Sequence, residues 1–300
     1  MQRNTFKTSD DVQLSYISAG QGKPIVMLHG WSQSAEQFKD QIPIFAEQYQ
    51  VIAIDLRGHG ESEKVPFGYR ISRLAKDVQE LIIALQLEKP HLLGHSMGCS
   101  LIWSYLDLFG LDGINQLVLV DQSPLVVSRL HWNAQEIAES GAVFTAEQLN
   151  TIVHTLEHGN AEELTRNILT SMVTSAMPKE QFEWIVECNL RCPPAIAATL
   201  LYNHAHMDWR DQIVRIRNPT LIISGRKSII PWQSQVWINQ SIPNSELECF
   251  EADEGGGHFM FIENPKKFNQ RVLQFLSRWR SLSSGESLEA NQEKQQLIRL

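Results

Sequence analysis

The chain has only four cysteines, Cys99, Cys188, Cys192 and Cys249, and no C-x-x-C pair among them. That spacing offers neither a zinc site nor a disulfide scaffold, and it fits a reduced compartment. Positive charge is also in short supply, with 26 Lys and Arg against 34 Asp and Glu and a net charge of −8. An acidic body is drawn neither to nucleic acid nor to an anionic membrane surface, so neither is expected as a partner. No apolar run approaches the ~20 residues needed to span a bilayer. The first residues, Met1-Gln2-Arg3-Asn4-Thr5-Phe6-Lys7, are polar and lack the apolar core of a secretory signal. The last three, Ile298-Arg299-Leu300, match a peroxisomal address poorly, because isoleucine stands where a small residue is wanted. The location expected is cytoplasmic and the partner a small molecule, with the oligomeric state left open. There is no internal repeat. The 43% of apolar residues is enough for a full-sized core, in one large α/β domain or two smaller ones.

Continuous apolar runs mark strands buried on both faces: Ile25–Leu28, Val51–Ile54, His91–Leu93, Leu117–Val120 and Leu221–Ile223. Residues 5–18 alternate and predict an edge hairpin turning at Ser9-Asp10-Asp11, and Glu246–Phe250 reads as the last strand. Helical spacing lies between them. Leu74, Val78, Leu81, Ile82 and Leu85 share one face, with Ser72 as N-cap, and a helix with Leu101, Ile102, Tyr105 and Leu106 ends near Gly110. A closing helix carries Phe268, Val272, Phe275, Leu276 and Trp279 on one side. Strands alternating with helices in this way predict a doubly wound, mostly parallel sheet.

The strand pattern vanishes between 123 and 208. Helix starts take its place, with capping boxes at Thr145-x-x-Gln148 and Asn160-x-x-Glu163, and Pro178 and Pro194 in first turns. This segment is expected to be a helical cap over the carboxyl edge of the sheet, with Trp132, Met172, Met177 and Trp184 giving it an apolar character. The core then comprises 1–122 and 209–280, and 281–300 is a polar, frayed tail.

Gly94-x-Ser96-x-Gly98 falls where an apolar strand gives way to a helix. In that context the motif reads as a nucleophile elbow, with Ser96 at the tip of a strained turn and its hydroxyl exposed above the sheet. The backbone N–H of Met97, at the start of the helix, would point to where an oxyanion forms. Cys99 just beyond is expected to be core.

Taken together, His29-Gly30-Trp31, Asp55-x-Arg57-Gly58-x-Gly60-x-Ser62, Gly94-x-Ser96-x-Gly98 and Gly257-His258 resemble the α/β-hydrolase fold superfamily, in that family's order and over about residues 5–280. The resemblance implies eight strands ordered 1-2-4-3-5-6-7-8 with the helical cap inserted. It implies Ser96 as nucleophile, His258 as base on a loop after the last strand, and the N–H groups of Trp31 and Met97 as oxyanion donors. His29 would shape the oxyanion loop without titrating, His95 would point away from the pocket, and His154, His158, His204 and His206 would be surface or packing residues of the cap.

The family's usual acid follows strand seven in a Gly-x-x-Asp-x-x-Pro context. Here that context reads Gly225-Arg226-Lys227-Ser228-Ile229-Ile230-Pro231, with serine in place of the acid. Either the triad is broken, or the acid has moved to Asp121 at the end of strand six, a relocation the superfamily allows. Asp253 and Glu254 would be solvated loop acids, and Asp208 structural. The resemblance therefore implies a serine hydrolase acting on an ester, thioester or lactone of a medium-sized, mostly apolar molecule, with no metal or organic cofactor. Two alternatives stand beside it: a cofactor-independent dioxygenase, or a lyase or cyclase, using a His258–Asp121 base; and a weakly catalytic ligand-binding protein. Aspartate would stand at Ser96 in an epoxide hydrolase or haloalkane dehalogenase of this fold, which argues against those two.

Overall fold

A computed structural model describes residues 1–282. Eight strands form one sheet in the order β1-β2-β4-β3-β5-β6-β7-β8, as the resemblance implies. They are β1 (Gln2–Lys7), β2 (Gln13–Ala19), β3 (Pro24–Leu28), β4 (Gln50–Ile54), β5 (His91–His95), β6 (Leu117–Val120), β7 (Thr220–Gly225) and β8 (Ser245–Phe250). β1 and β2 are the antiparallel edge hairpin, and the strands from β4 to β8 in the sheet run parallel.

The apolar runs are unbroken because each strand packs on two sides. In β3, Val26 and Leu28 join one buried cluster while Ile25 and Met27 join the other; β6 splits Leu117 and Leu119 from Val118 and Val120 in the same way. On the first face lie α2 (Ile71–Ala84) and α3 (Met97–Phe109). The second is covered by the short α1 (Ile42–Phe45) and by α12 (Pro265–Leu282), whose Phe268, Val272, Phe275 and Leu276 are fully buried. The side chain of Trp279 and residues 283–300 lie outside what is described, and the helix runs past the expected core boundary at 280 to Leu282. Ser72 is not a cap: α2 begins one residue earlier, with Arg70 at the N-cap. No helix among the described residues is long and apolar enough to cross a membrane.

Between β6 and β7 stand α4 (Ala134–Ser140), α5 (Ala146–His158), α6 (Ala161–Met172), α7 (Lys179–Leu190), α8 (Pro194–Ala205) and the single turn α9 (Arg210–Ile213). Thr145 and Gln148 form the expected reciprocal capping box of α5. At α6 only half of the box forms, since the Asn160 side chain accepts from the Glu163 N–H. Asn133 and Glu136 make a further box that the sequence reading missed. Pro194 opens α8, while Pro178 is the N-cap of α7. The Trp209 N–H donates to the Pro124 carbonyl at 3.0 Å and joins the two ends of the insertion. After β7 come α10 (Trp232–Ser241) and, beyond β8, the short α11 (Met260–Glu263).

Candidate active site

The parallel register sets the carboxyl ends of three strands level. His95 on β5 lies opposite Val120 on β6, and Val120 lies opposite Ile223 on β7. Ser96 and Asp121 therefore leave the sheet side by side, one strand away from the turn that carries Ser228. The Ser96 N–H donates to the Val120 carbonyl at 2.8 Å, and the Asp121 N–H to the Ile223 carbonyl at 2.9 Å.

Ser96 has φ 52° and ψ −125°, a conformation that L side chains rarely adopt. The two glycines make it possible. A Cβ on Gly98 would stand 2.2 Å from the Leu28 carbonyl oxygen, and one on Gly94 would stand 2.6 Å from the Gly98 backbone. Asp121 (φ 55°) and Ser32 (φ 53°) also have positive φ, so three strained non-glycine residues gather at one edge of the sheet.

His258 is buried, and its Nδ1 donates to Asp121 Oδ2 at 2.6 Å. An ionised carboxylate can only accept, so the proton sits on Nδ1 and Nε2 is left as the free nitrogen. Ser228 Oγ also donates to Asp121 Oδ2, and the Gly225 N–H reaches Oδ1 at 3.3 Å. Serine at the usual acid position thus binds the acid on the neighbouring strand. Its oxygen lies 3.4 Å from His258 Nδ1, two donors meeting at one acceptor. The loop carrying His258 is held from the helical insertion: the His258 N–H donates to the Met172 carbonyl at 2.7 Å, and Thr174 hydrogen-bonds to Glu263.

Ser96 and His258 face the same two small cavities, although no hydrogen bond joins them among the described residues. Trp31, half-buried, lines both as well, with its indole N–H on the Ala197 carbonyl at 2.8 Å. Met97 opens α3, where its N–H has no carbonyl one turn earlier to bond. One cavity, about 50 Å³, is walled by Val126, Val143, Phe144, Ile168, Leu201 and Ile230. The other, about 20 Å³, has Gln33 and Asn189 on its wall.

His95 does not point away. Its ring centroid lies 4.6 Å from that of His258, its Nε2 donates to the His258 carbonyl at 3.0 Å, and it lines the smaller cavity. Burial, and then the neighbouring His258, hold its pKa well below the usual histidine range, so it stays neutral beside the candidate base. His29 is likewise buried and pushed down to about 4, donating from Nδ1 to the Gly30 carbonyl and accepting the Leu56 N–H at Nε2. His204 packs inside the insertion, lowered by burial to about 4. Cys99 is core, with burial pushing its thiol up. Asp253 is exposed, Glu254 pairs with Lys267 at 2.7 Å, and Asp208 pairs with Arg210 and Arg129.

Of the residues expected to make the insertion apolar toward the site, only Met172 lines a cavity there. Trp132 lies against the guanidinium groups of Arg129 and Arg210, and Trp184 lies under Lys39. No cluster of three or more potential metal ligands occurs among the described residues.

The family model for the alpha/beta hydrolase fold matches residues 23–265, from β3 to the start of α12. The chain belongs to the α/β-hydrolase family. It is 28% identical over 279 residues to the AB hydrolase superfamily protein YisY of Bacillus subtilis, covering 90% of this chain and 97% of that one. It is 27% identical over 281 residues to the non-heme chloroperoxidase CPO-A1 of Kitasatospora aureofaciens, covering 90% and 98%. Among solved structures, the esterase EaEST of Exiguobacterium antarcticum superposes with a TM-score of 0.83 at 24% identity, over 91% of this chain and 99% of that one; at that identity the likeness is one of fold.

Proposed function

We propose that the protein is a serine hydrolase that cleaves a carboxylic ester, thioester or lactone through an acyl-enzyme on Ser96. The observation that carries this reading is the 2.6 Å hydrogen bond from His258 Nδ1 to Asp121, at the sheet edge where the strained Ser96 stands. A serine hydroxyl is a weak nucleophile until a base takes its proton. With Nδ1 protonated by its tie to Asp121, His258 Nε2 is the nitrogen available for that task. It would accept the Ser96 proton during attack on the carbonyl and return it to the leaving oxygen or sulfur. Water then repeats the sequence to free the acid. Asp121 orients the ring and offsets its charge while it is an imidazolium. The backbone N–H groups of Trp31 and Met97 would stabilise the tetrahedral oxyanion, each worth ~3 kcal/mol of barrier in comparable sites.

The helical insertion acts in this reading as a cap. Its aliphatic wall favours an apolar portion of the substrate. Both cavities are far below the ~300 Å³ of an ordinary small-molecule site, so a medium-sized substrate enters only when the insertion shifts away from the sheet.

Intact mass after exposure to a fluorophosphonate, on the native protein and on Ser96→Ala, tests the nucleophile. One adduct per chain on the native protein and none on Ser96→Ala is the expected result, with ester turnover falling by roughly 10⁵–10⁶-fold in the variant. A folded native protein that takes no adduct, or a Ser96→Ala variant that keeps its turnover, sinks the reading. Oxygen uptake that survives Ser96→Ala and disappears in His258→Ala would instead identify a dioxygenase.

A further inference from the structure

Gln33 lies on the loop after β3, within a few residues of the proposed oxyanion donor Trp31, and is only 3% exposed. Its backbone N–H is used, donating to the Gly30 carbonyl at 3.3 Å, but its side-chain amide hydrogen-bonds to no other described residue. That amide borders the smaller cavity together with Ser96 and His258. The Gln33 amide is not among the fully enclosed side-chain atoms left without a partner, so it is open to whatever fills the cavity, solvent or substrate. The neighbouring amide, Asn189, is already engaged by Ser32 and by the Ile185 carbonyl, and it fixes the shape of the wall.

We infer that Gln33 is a specificity determinant: it binds a small, uncharged hydrogen-bonding substituent, a hydroxyl or carbonyl, placed next to the scissile ester group of the substrate. Size argues for this. With the insertion closed, the space beside Gln33 is about 20 Å³, room for a single water-sized group, so a substrate admitted by a shift of the insertion places little more than that there once the insertion returns. Chemistry argues the same way, because a primary amide both donates and accepts and so suits either a hydroxyl or a carbonyl. Charge sets the remaining limit. Neither cavity has a lysine, arginine, aspartate or glutamate on its wall, so a carboxylate there would be buried beside Gln33 with no lysine or arginine to offset its charge. The substrate class is then a neutral ester or lactone with two unlike sides: a short polar one against Gln33, and an apolar one among Val126, Phe144, Ile168 and Leu201.

This inference rests on the serine-hydrolase reading, and the experiment separates the two. Values of kcat/KM are measured for isosteric ester pairs with the hydroxyl on either side of the carbonyl. One pair compares glycolate with propionate esters of a common aryl alcohol; the other compares 2-hydroxyethyl with n-propyl esters of a common aryl acid. The same pairs are run on Gln33→Leu and Gln33→Met, with fluorophosphonate labelling as the measure of an intact nucleophile; the second variant is read if the first fails to fold. Taking the hydroxyl-to-alkyl ratio within each protein cancels any general loss of activity, and comparing that ratio between the native protein and the variants cancels the intrinsic reactivity of the esters. In at least one pair the native ratio should exceed that of the variants tenfold or more. An ester bearing a carboxylate at the hydroxyl position should react at least a hundredfold more slowly than its hydroxyl counterpart. Equal ratios in the native protein and the variants for both pairs, or ready cleavage of the carboxylate ester, would overturn the role of Gln33. A native protein that labels with the fluorophosphonate but cleaves none of the esters would overturn the substrate class alone. One that does not label would remove the serine reading itself.

Discussion

The ends of β6 and β7 are neighbours that both reach His258, yet they carry different chemistry. At the end of β6, Asp121 holds a strained φ of 55° and receives the His258 Nδ1–H at 2.6 Å. Beyond β7, Ser228 stands at the position of the family's usual acid, 3.4 Å from the same nitrogen, and spends its proton on Asp121. A histidine needs one carboxylate in line with Nδ1, and either strand end is near enough to supply it. In the proposed triad the acid stands at the end of β6, and the hydroxyl in the usual place of the acid hydrogen-bonds to it.

The largest effect should come from Asp121→Asn. An asparagine that donates to Nδ1 would force the proton onto Nε2, the nitrogen that accepts from Ser96 in the proposed mechanism. Ester kcat should fall by roughly 10³–10⁴-fold with little change in the melting temperature. A loss under tenfold would mean that the β6 end does not supply the acid. Next comes the exchange of the two residues, Asp121→Ser with Ser228→Asp. If the strand ends are equivalent toward His258, the doubly substituted protein should recover roughly ten- to a hundredfold of the kcat/KM lost in Asp121→Ser alone. No recovery in a folded protein would show that the strained geometry at Asp121 is needed and that position alone is not enough. A smaller effect is expected from Ser228→Ala, which removes one hydrogen bond to a carboxylate that keeps its others. Roughly three- to tenfold in kcat is expected, with KM unchanged.

Acid sets the range in which these variants can be compared. His29 and His204 are held down to about 4 and His59 to about 3, in each case first by burial. Their folded pKa values lie below the ~6.5 of an unfolded histidine. Between pH 6.5 and 4 the unfolded chain therefore binds more protons than the folded one, and stability falls as the pH falls. Thermal unfolding of the native protein should show the midpoint dropping across that window and flat above pH 7. His204→Leu should reduce the slope, because it removes one of these groups. An unchanged slope would assign the pH dependence to other groups.

The sheet was legible from the sequence because strands sandwiched between helices must be apolar on both faces, and Ile25–Leu28 or Leu117–Val120 have few other readings. Asp121 was legible for a related reason: it directly follows such a strand, so its place at the sheet edge follows from the strand itself. The surroundings of the site were not. Gln33, Ser32, Asn189 and His95 meet through contacts between distant segments; Ser32 and Asn189 are 157 residues apart, and His95 and His258 are 163. No local pattern records such a meeting. The same holds for the cavity walls, which took Val126, Phe144 and Ile168 from the insertion and left Trp132 and Trp184 elsewhere. Composition indicated that the insertion was apolar but not which of its residues turn inward.

The most direct test of the proposed acid at Asp121 is the rate at which a fluorophosphonate phosphonylates Ser96, with loss of fluoride, in the native protein, Asp121→Asn and Ser228→Ala, followed by intact mass at pH 7.5. Labelling of Asp121→Asn at least a hundredfold slower than native, with Ser228→Ala within tenfold of native, is the expected result. Native-like labelling of Asp121→Asn, or a greater loss in Ser228→Ala than in Asp121→Asn, would contradict the assignment of the acid to the end of β6.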